Sequence, residues 1–175
     1  MDMTLRGDYS STLPIQNNLY WYPSVSGSFL FSEFFHINKK ILPYGKVRAS
    51  WAKVGHDTWP YLLQLMYEMA PNNFGKYPMA SIANEVLPNK KLKPTMTNSM
   101  ELGFELKFLN NRIGLDVTYY NQHSRDQILR MNTAHGSGYR FKMVNAGDIE
   151  NRGIEIVLNT RPIDLQDFSW DLNMN

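Results

Sequence analysis

His56-Asp57, His123 with Asp126, Glu101 with Glu105, and Ser137 between Gly136 and Gly138 are the places where this sequence gathers acids, bases and nucleophiles. A His-Asp pair is half of a metal-phosphohydrolase signature, but that chemistry needs a second His and Asp. His36, His123 and His135 stand alone in connectors, and His123 with Asp126 lacks further ligands. Glu101 and Glu105 lie four apart on one strand face, roughly 13 Å by strand rise. Glycosidase carboxylates need about 5 to 9.5 Å. Ser137 lacks the strand-turn-helix setting of a nucleophile elbow, and Gly136-Ser137-Gly138 is too short to cradle phosphate. With no cysteine in the chain, thiol catalysis, thiolate metal sites and disulfides are excluded. The sequence therefore predicts no catalytic site, metal or cofactor. Its binding candidates are the loop aromatics Trp59, Tyr61, Tyr67, Phe74, Tyr77 and Tyr139. They either stack on a sugar or a partner protein or pack the loops against one another.

The elements that must carry these loops follow period 2. Leu102, Phe104, Leu106 and Phe108 alternate with Glu101, Gly103, Glu105 and Lys107. After Asn110-Asn111, Ile113, Leu115, Val117 and Tyr119 alternate with Arg112, Gly114, Asp116 and Thr118. Ile154, Ile156 and Leu158 continue the pattern, as do Phe168, Trp170, Leu172 and Met174. Strict alternation means strands with one apolar and one polar face. No apolar run approaches the roughly 18 residues of a membrane helix, while membrane β-strands need apolar residues only at alternate positions. A net charge of +2 gives no field that would argue for nucleic acid, and Lys90, Lys91 and Lys93 read as a solvated loop.

Earlier strands are expected over 1–8, 19–33 and 46–54. In the second, Val25, Gly27, Phe29 and Phe31 share a face and Pro23 sits near the start, where a missing amide proton is tolerated. In the third, Val47, Ala49 and Trp51 oppose Lys46, Arg48 and Ser50. Later strands are expected over 98–109, 112–121, 148–160 and 167–175. A helical turn fits the 33–44 connector, and a short helix fits Tyr61–Met69. Connectors near 34–44, 110–111 and 161–166 alternate with loops near 11–18, 55–97 and 122–147, the last two much the longest. Short and long connections therefore fall on opposite ends of an antiparallel sheet. By the outer-membrane rule the short end is periplasmic and the long end extracellular. Met1–Arg6 lacks the basic and apolar regions of a signal peptide, and Trp170–Asn175 still alternates at the last residue. A fragment is expected.

Several segments resemble the SusC/RagA-type TonB-linked outer-membrane transporters of Bacteroidetes. They are Tyr22–Ser26, Gly45–Gly55, Leu92-Lys93-Pro94 leading to Glu101–Gly103, Phe108–Tyr120, Val144–Glu155 and Phe168–Asp171. His56 departs from the Asn more common there. The resemblance implies part of a transmembrane antiparallel β-barrel, about seven strands of roughly 22. Residues 1–175 would then belong to the barrel domain, without plug, signal peptide or barrel C-terminus. It further implies import of a large nutrient such as a glycan or peptide, a SusD-like surface lipoprotein as lid, and a TonB complex engaged through other segments.

On that reading Leu102, Phe104, Leu106, Ile113, Leu115, Val117, Ile154, Ile156, Leu158 and Leu172 face lipid. Glu101, Glu105, Lys107, Arg112, Asp116, Glu155, Asp171 and Asn173 line the lumen. Phe108, Phe168, Tyr119 and Tyr120 are expected in interfacial girdles. The competing expectation is a soluble β-sandwich carbohydrate-binding module, which also alternates but turns at shorter, regular spacing.

Overall fold

The computed structural model describes residues 1–61 and 64–175. In chain order the strands are β1 (Asp2–Tyr9), β2 (Leu19–Leu30), β3 (Tyr44–His56), β4 (Tyr67–Met69), β5 (Ala80–Ile82), β6 (Val86–Leu87), β7 (Thr95–Phe108), β8 (Ile113–Arg125), β9 (Ile128–Asn132), β10 (Phe141–Asn145), β11 (Asp148–Asp164) and β12 (Ser169–Met174). The one α-helical turn among the described residues, α1 (Phe31–Phe34), follows β2. Seven strands form one sheet in the order β1-β2-β3-β7-β8-β11-β12, and every neighbouring pair in it is antiparallel.

β8 and β11 outrun their expected ends, whereas β2 stops at Leu30, short of the expected 33, because Phe31 enters α1 rather than continuing the strand face. β8 continues to Arg125 and β11 through Pro162 to Asp164, with a register shift between Thr160 and Ile163 against β12. A bulge is where a strand accepts proline. Pro23 pairs with Leu5 of β1 but lies just beyond the β2–β3 ladder, which starts at Ser24 and Ala52. The β7–β8 turn spans 109–112 rather than two residues, with Leu109, Asn110 and Asn111 at φ of 49°, 55° and 68°. Asparagine tolerates this left-handed region better than most residues.

At the opposite end the long connections are structured. The described part of Tyr61–Met69 is not helical. Tyr67–Met69 is instead β4, paired with β5, and Leu62 and Leu63 lie outside the described residues. β6, from one long connection, pairs in parallel with β10 from the next, and β9 completes a three-stranded sheet. Around it sit the buried apolar side chains Leu13, Tyr20, Val86, Leu92 and Met143, with Tyr22, Ile128 and Phe141 packed alongside.

Candidate functional site

The register sorts the sheet into two faces, because directly paired residues in antiparallel strands project the same way. One row runs Phe29–Val47–Phe104–Val117–Ile156, and the next Gly27–Ala49–Leu102–Tyr119–Ile154. Nearer the short turns come Gly45–Leu106–Leu115–Leu158–Met174 and Phe108–Ile113–Thr160–Leu172. This face is apolar and uncovered: Phe104, Tyr119 and Ile156 are exposed, and Ile154 is 66% exposed. A β-sandwich would lay a second sheet here; among the described residues none does.

The apolar stripe does not run square to the strands. One row further toward the long connections reads Val25–Trp51–Met100–Asn121–Arg152, apolar on β2, β3 and β7 but polar on β8 and β11. On β2 the stripe continues past that row to Trp21, while β11 goes on through Glu150 to Asp148. A flat apolar layer crossed by tilted strands leaves such a diagonal, since each strand enters it at a different residue.

The opposite face carries charge. Glu101, Glu105, Lys107, Asp116, Glu155, Asp171 and Asn173 share it by register. Arg112 differs, because it belongs to the β7–β8 turn, where its carbonyl accepts a hydrogen bond from the Arg161 amide at 2.8 Å. Arg48 crosses β7 to reach β8: its guanidinium meets the Asp116 carboxylate at 3.0 Å and donates to Thr118 Oγ1 at 2.7 Å. Gly103 makes the crossing feasible, since a Cβ there would collide with Arg48 Nε. Arg161 and Asp171 pair at 2.7 Å between β11 and β12, and Lys107 Nζ lies 5.1 Å from the Tyr44 ring centroid. Tyr120 also lies on this face, its hydroxyl 2.8 Å from where a Gly153 Cβ would be. It therefore does not join Tyr119 in one girdle: consecutive strand residues point to opposite sides.

At the long-connection end, His56, Asp57, Thr58, Trp59, Pro60, Val86, Thr95, Ile128, Arg130 and Met143 line a cleft of about 730 Å³. Of the loop aromatics singled out from sequence, only Trp59 lines it, and that residue is 80% exposed. Tyr61 flanks a smaller recess with Ser11, Thr12 and Gln64. Tyr67 is on β4, Phe74 and Tyr77 face each other across an isolated bridge in the β4–β5 connection, and Tyr139 is in the β9–β10 turn. Sequence reasoning missed Arg130, whose guanidinium carbon stacks 3.5 Å from the Phe141 ring centroid. An isolated basic residue in a five-residue strand carries no periodic signal.

Asp57, His123 and Ser137 each have structural partners. Asp57 accepts hydrogen bonds from Ser10 Oγ at 2.5 Å and Thr12 Oγ1 at 3.0 Å. The Ser10 bond is the chief reason its pKa lies below the ordinary carboxylate value; partial burial opposes the shift, and Thr12 adds to it. His123 pairs with Asp148 of β11 rather than Asp126. Ser137 Oγ donates to the Ala134 carbonyl at 2.7 Å.

The model of the TonB dependent receptor-like β-barrel family matches residues 2–175. The chain is 29% identical to the TonB-dependent receptor SusC of Bacteroides thetaiotaomicron, over 98% of this chain and 18% of that protein. It is 27% identical to TonB-dependent receptor P26 of Formosa agariphila, over 94% of this chain and 17% of that protein. The chain thus spans less than a fifth of the length of these relatives. Among solved structures, the RagAB peptide transporter superposes with a TM-score of 0.87 at 21% identity, covering 98% of this chain and 19% of that one. The siderophore receptor PirA from Pseudomonas aeruginosa gives 0.53 at 21% identity, over 91% and 28%.

Proposed function

This chain belongs to the TonB-dependent receptor-like β-barrel family, and from that premise we propose that residues 1–175 form a section of the transmembrane wall of an outer-membrane nutrient importer. The diagonal apolar stripe carries the reading. It is the footprint of a flat hydrocarbon layer on strands tilted about 35–45°, as in outer-membrane barrels. The charged face, with Glu101, Glu105, Lys107, Asp116, Glu155, Asp171 and Asn173, then lines the lumen or meets a plug, and Arg112 sits at its periplasmic rim. The long connections lie outside the cell.

The cargo is a large nutrient, a glycan or a peptide. The loop-end cleft, with Trp59 to stack and Arg130 to donate hydrogen bonds, is its first contact. A SusD-like lipoprotein would close over the same loops, whose exposed Tyr67, Phe74 and Tyr77 offer aromatic anchors. The names of the relatives, a receptor called SusC and a peptide transporter called RagAB, support this assembly. Energy would come from a TonB complex acting on segments other than the wall. No step of this function breaks a covalent bond, so no catalysis is assigned.

Expression of the complete reading frame around this segment, followed by membrane fractionation, tests the reading. The expected result is detergent-dependent recovery from the outer membrane, with uptake weakened by Trp59→Ala and Arg130→Ala. Recovery as a soluble, monodisperse protein would overturn it.

A further inference from the structure

At the short-turn end of the sheet the 31–43 connector displays apolar surface that the fold does not use. Phe29 of β2 and Phe34 and Phe35 of the connector form a cluster of rings, with centroids 5.2 Å apart for Phe29–Phe34 and Phe34–Phe35 and 6.5 Å for Phe29–Phe35. All three pairs meet edge to face. Phe34 and Phe35 are each 65% exposed, and Ile41 nearby is similarly open.

This surface is held in place. The Phe35, His36 and Ile37 amides donate to the Phe31, Glu33 and Ser32 carbonyls at 3.0, 3.1 and 3.0 Å, and the Ile41 and Leu42 amides both reach the Asn38 carbonyl. Buried Ser32 anchors the connector to β3 by accepting the Gly45 amide on its Oγ at 2.9 Å. Leaving a Phe ring in water forgoes the hydrophobic free energy of its burial, so two rings fixed outward on a hydrogen-bonded connector imply an apolar partner.

Two observations identify that partner. Phe29 belongs to the row Phe29–Val47–Phe104–Val117–Ile156, so the ring cluster is continuous with the apolar stripe. On β2 the stripe ends at this point, where α1 replaces the strand. Lys39 and Lys40 follow within the same connector, both exposed. Rings at the edge of an apolar layer with ammonium groups just beyond match the boundary between acyl chains and phosphate headgroups. We infer that the 31–43 connector is an interfacial anchor, with Phe34 and Phe35 inserted among acyl chains and Lys39 and Lys40 paired with the phosphates of anionic phospholipid. The inference rests on the membrane reading above.

Single nitroxide labels test it in the full-length protein, reconstituted in phosphatidylcholine vesicles with and without phosphatidylglycerol. Residues 1–175 contain no cysteine, so each introduced thiol is the only one in this segment once any elsewhere are replaced. The label at Phe35→Cys should collide several-fold more with oxygen than with a water-soluble nickel complex, as at Leu102→Cys. The label at Phe74→Cys should show the reverse preference. Lys39→Glu with Lys40→Glu should reduce the oxygen preference at position 35 only in vesicles containing phosphatidylglycerol. If position 35 behaves like position 74 while position 102 stays in lipid, the anchor is wrong and the barrel stands. Shielding of position 35 from both reagents would mean a protein partner and also overturn it. A nickel-accessible position 102 would overturn the membrane reading itself. An oxygen preference indifferent to the lysines and to phosphatidylglycerol would overturn the phosphate contact.

Discussion

The seven-stranded wall and the loop-end lobe are built for different solvents. The lobe has a small water-type core, in which Leu92 is fully buried beside Leu13, Tyr20, Val86 and Met143. The wall has most of the ladder and shares only Tyr20, at the loop end of β2, with that core; its largest apolar side chains stand open on one face. A sheet whose apolar face stays uncovered must take its hydrophobic stabilisation from outside the chain, and for this family the outside is lipid. The lobe gains its own from the chain, by closing two long connections onto each other through β6 and β10.

The largest expected effects separate these two sources. Leu92→Ala should cost about 2–5 kcal/mol as buried contacts are replaced by a cavity. The loss should fall on the lobe alone: hydrogen exchange in 86–94 and 128–145 rises, while β7 and β8 keep their protection in a bilayer. Faster exchange in the wall as well would break the comparison, because it would make the lobe part of the wall's support.

Next, Val117→Arg in the middle of the stripe should cost about 2–4 kcal/mol for folding into a bilayer. Thr118→Arg, one residue on, should cost much less, since it points to the charged face. Urea titration of folding into vesicles measures both, and equal costs would remove the distinction between faces. Without lipid or detergent, residues 1–175 should aggregate, since an open apolar face and the exposed edges of β1 and β12 remain.

The same contrast governs what the sequence revealed. The wall was legible because one apolar face imposes period 2 and a one-residue slip would turn every side chain over. Leu102–Phe108 and Ile113–Tyr119 announced both strands and faces. The lobe was opaque. Leu92 sits between Lys91 and Lys93 and reads as a solvated loop, yet its side chain is fully buried, while both lysines are exposed. β6 has two residues and finds its partner Phe141 far along the chain, too short for any period. Pro-rich spacing suggested loops and a helix where β4 and β5 pair, because short hairpins depend on distant packing rather than local pattern. Within the candidate site, Trp59 was legible as a loop aromatic, whereas Arg130 became visible only when β9 and β10 placed it on Phe141.

A smaller effect tests the charged face. Gly103→Ala should displace Arg48 from Asp116 and Thr118, at a cost of about 1 kcal/mol or less for a solvent-accessible pair. Gly103→Ala and Asp116→Asn should then be non-additive, because each removes the same contact. Additivity would mean that Arg48 reaches β8 without needing the gap at Gly103.

The smallest effect lies at the seam between wall and lobe, where Asp57 leaves β3 and is held by Ser10 and Thr12 from the β1–β2 connection. These hydroxyls donate more strongly to the ionised carboxylate than to the protonated carboxyl, which is why its pKa is lowered in the folded chain. The clamp is therefore complete above the ordinary carboxylate value, about 3.9. It is lost only as pH falls through the lowered folded value, below that range. Ser10→Ala removes the largest cause of the shift, so Asp57 should titrate closer to its ordinary value and the clamp should fail at higher pH. Carboxyl carbon NMR of Asp57 in detergent micelles reads the titration directly, and protease sensitivity of 57–61 reads the clamp. An unchanged titration in Ser10→Ala would show that the seam is held by packing alone, as in the lobe, and not by a charge held by two neighbouring hydroxyls.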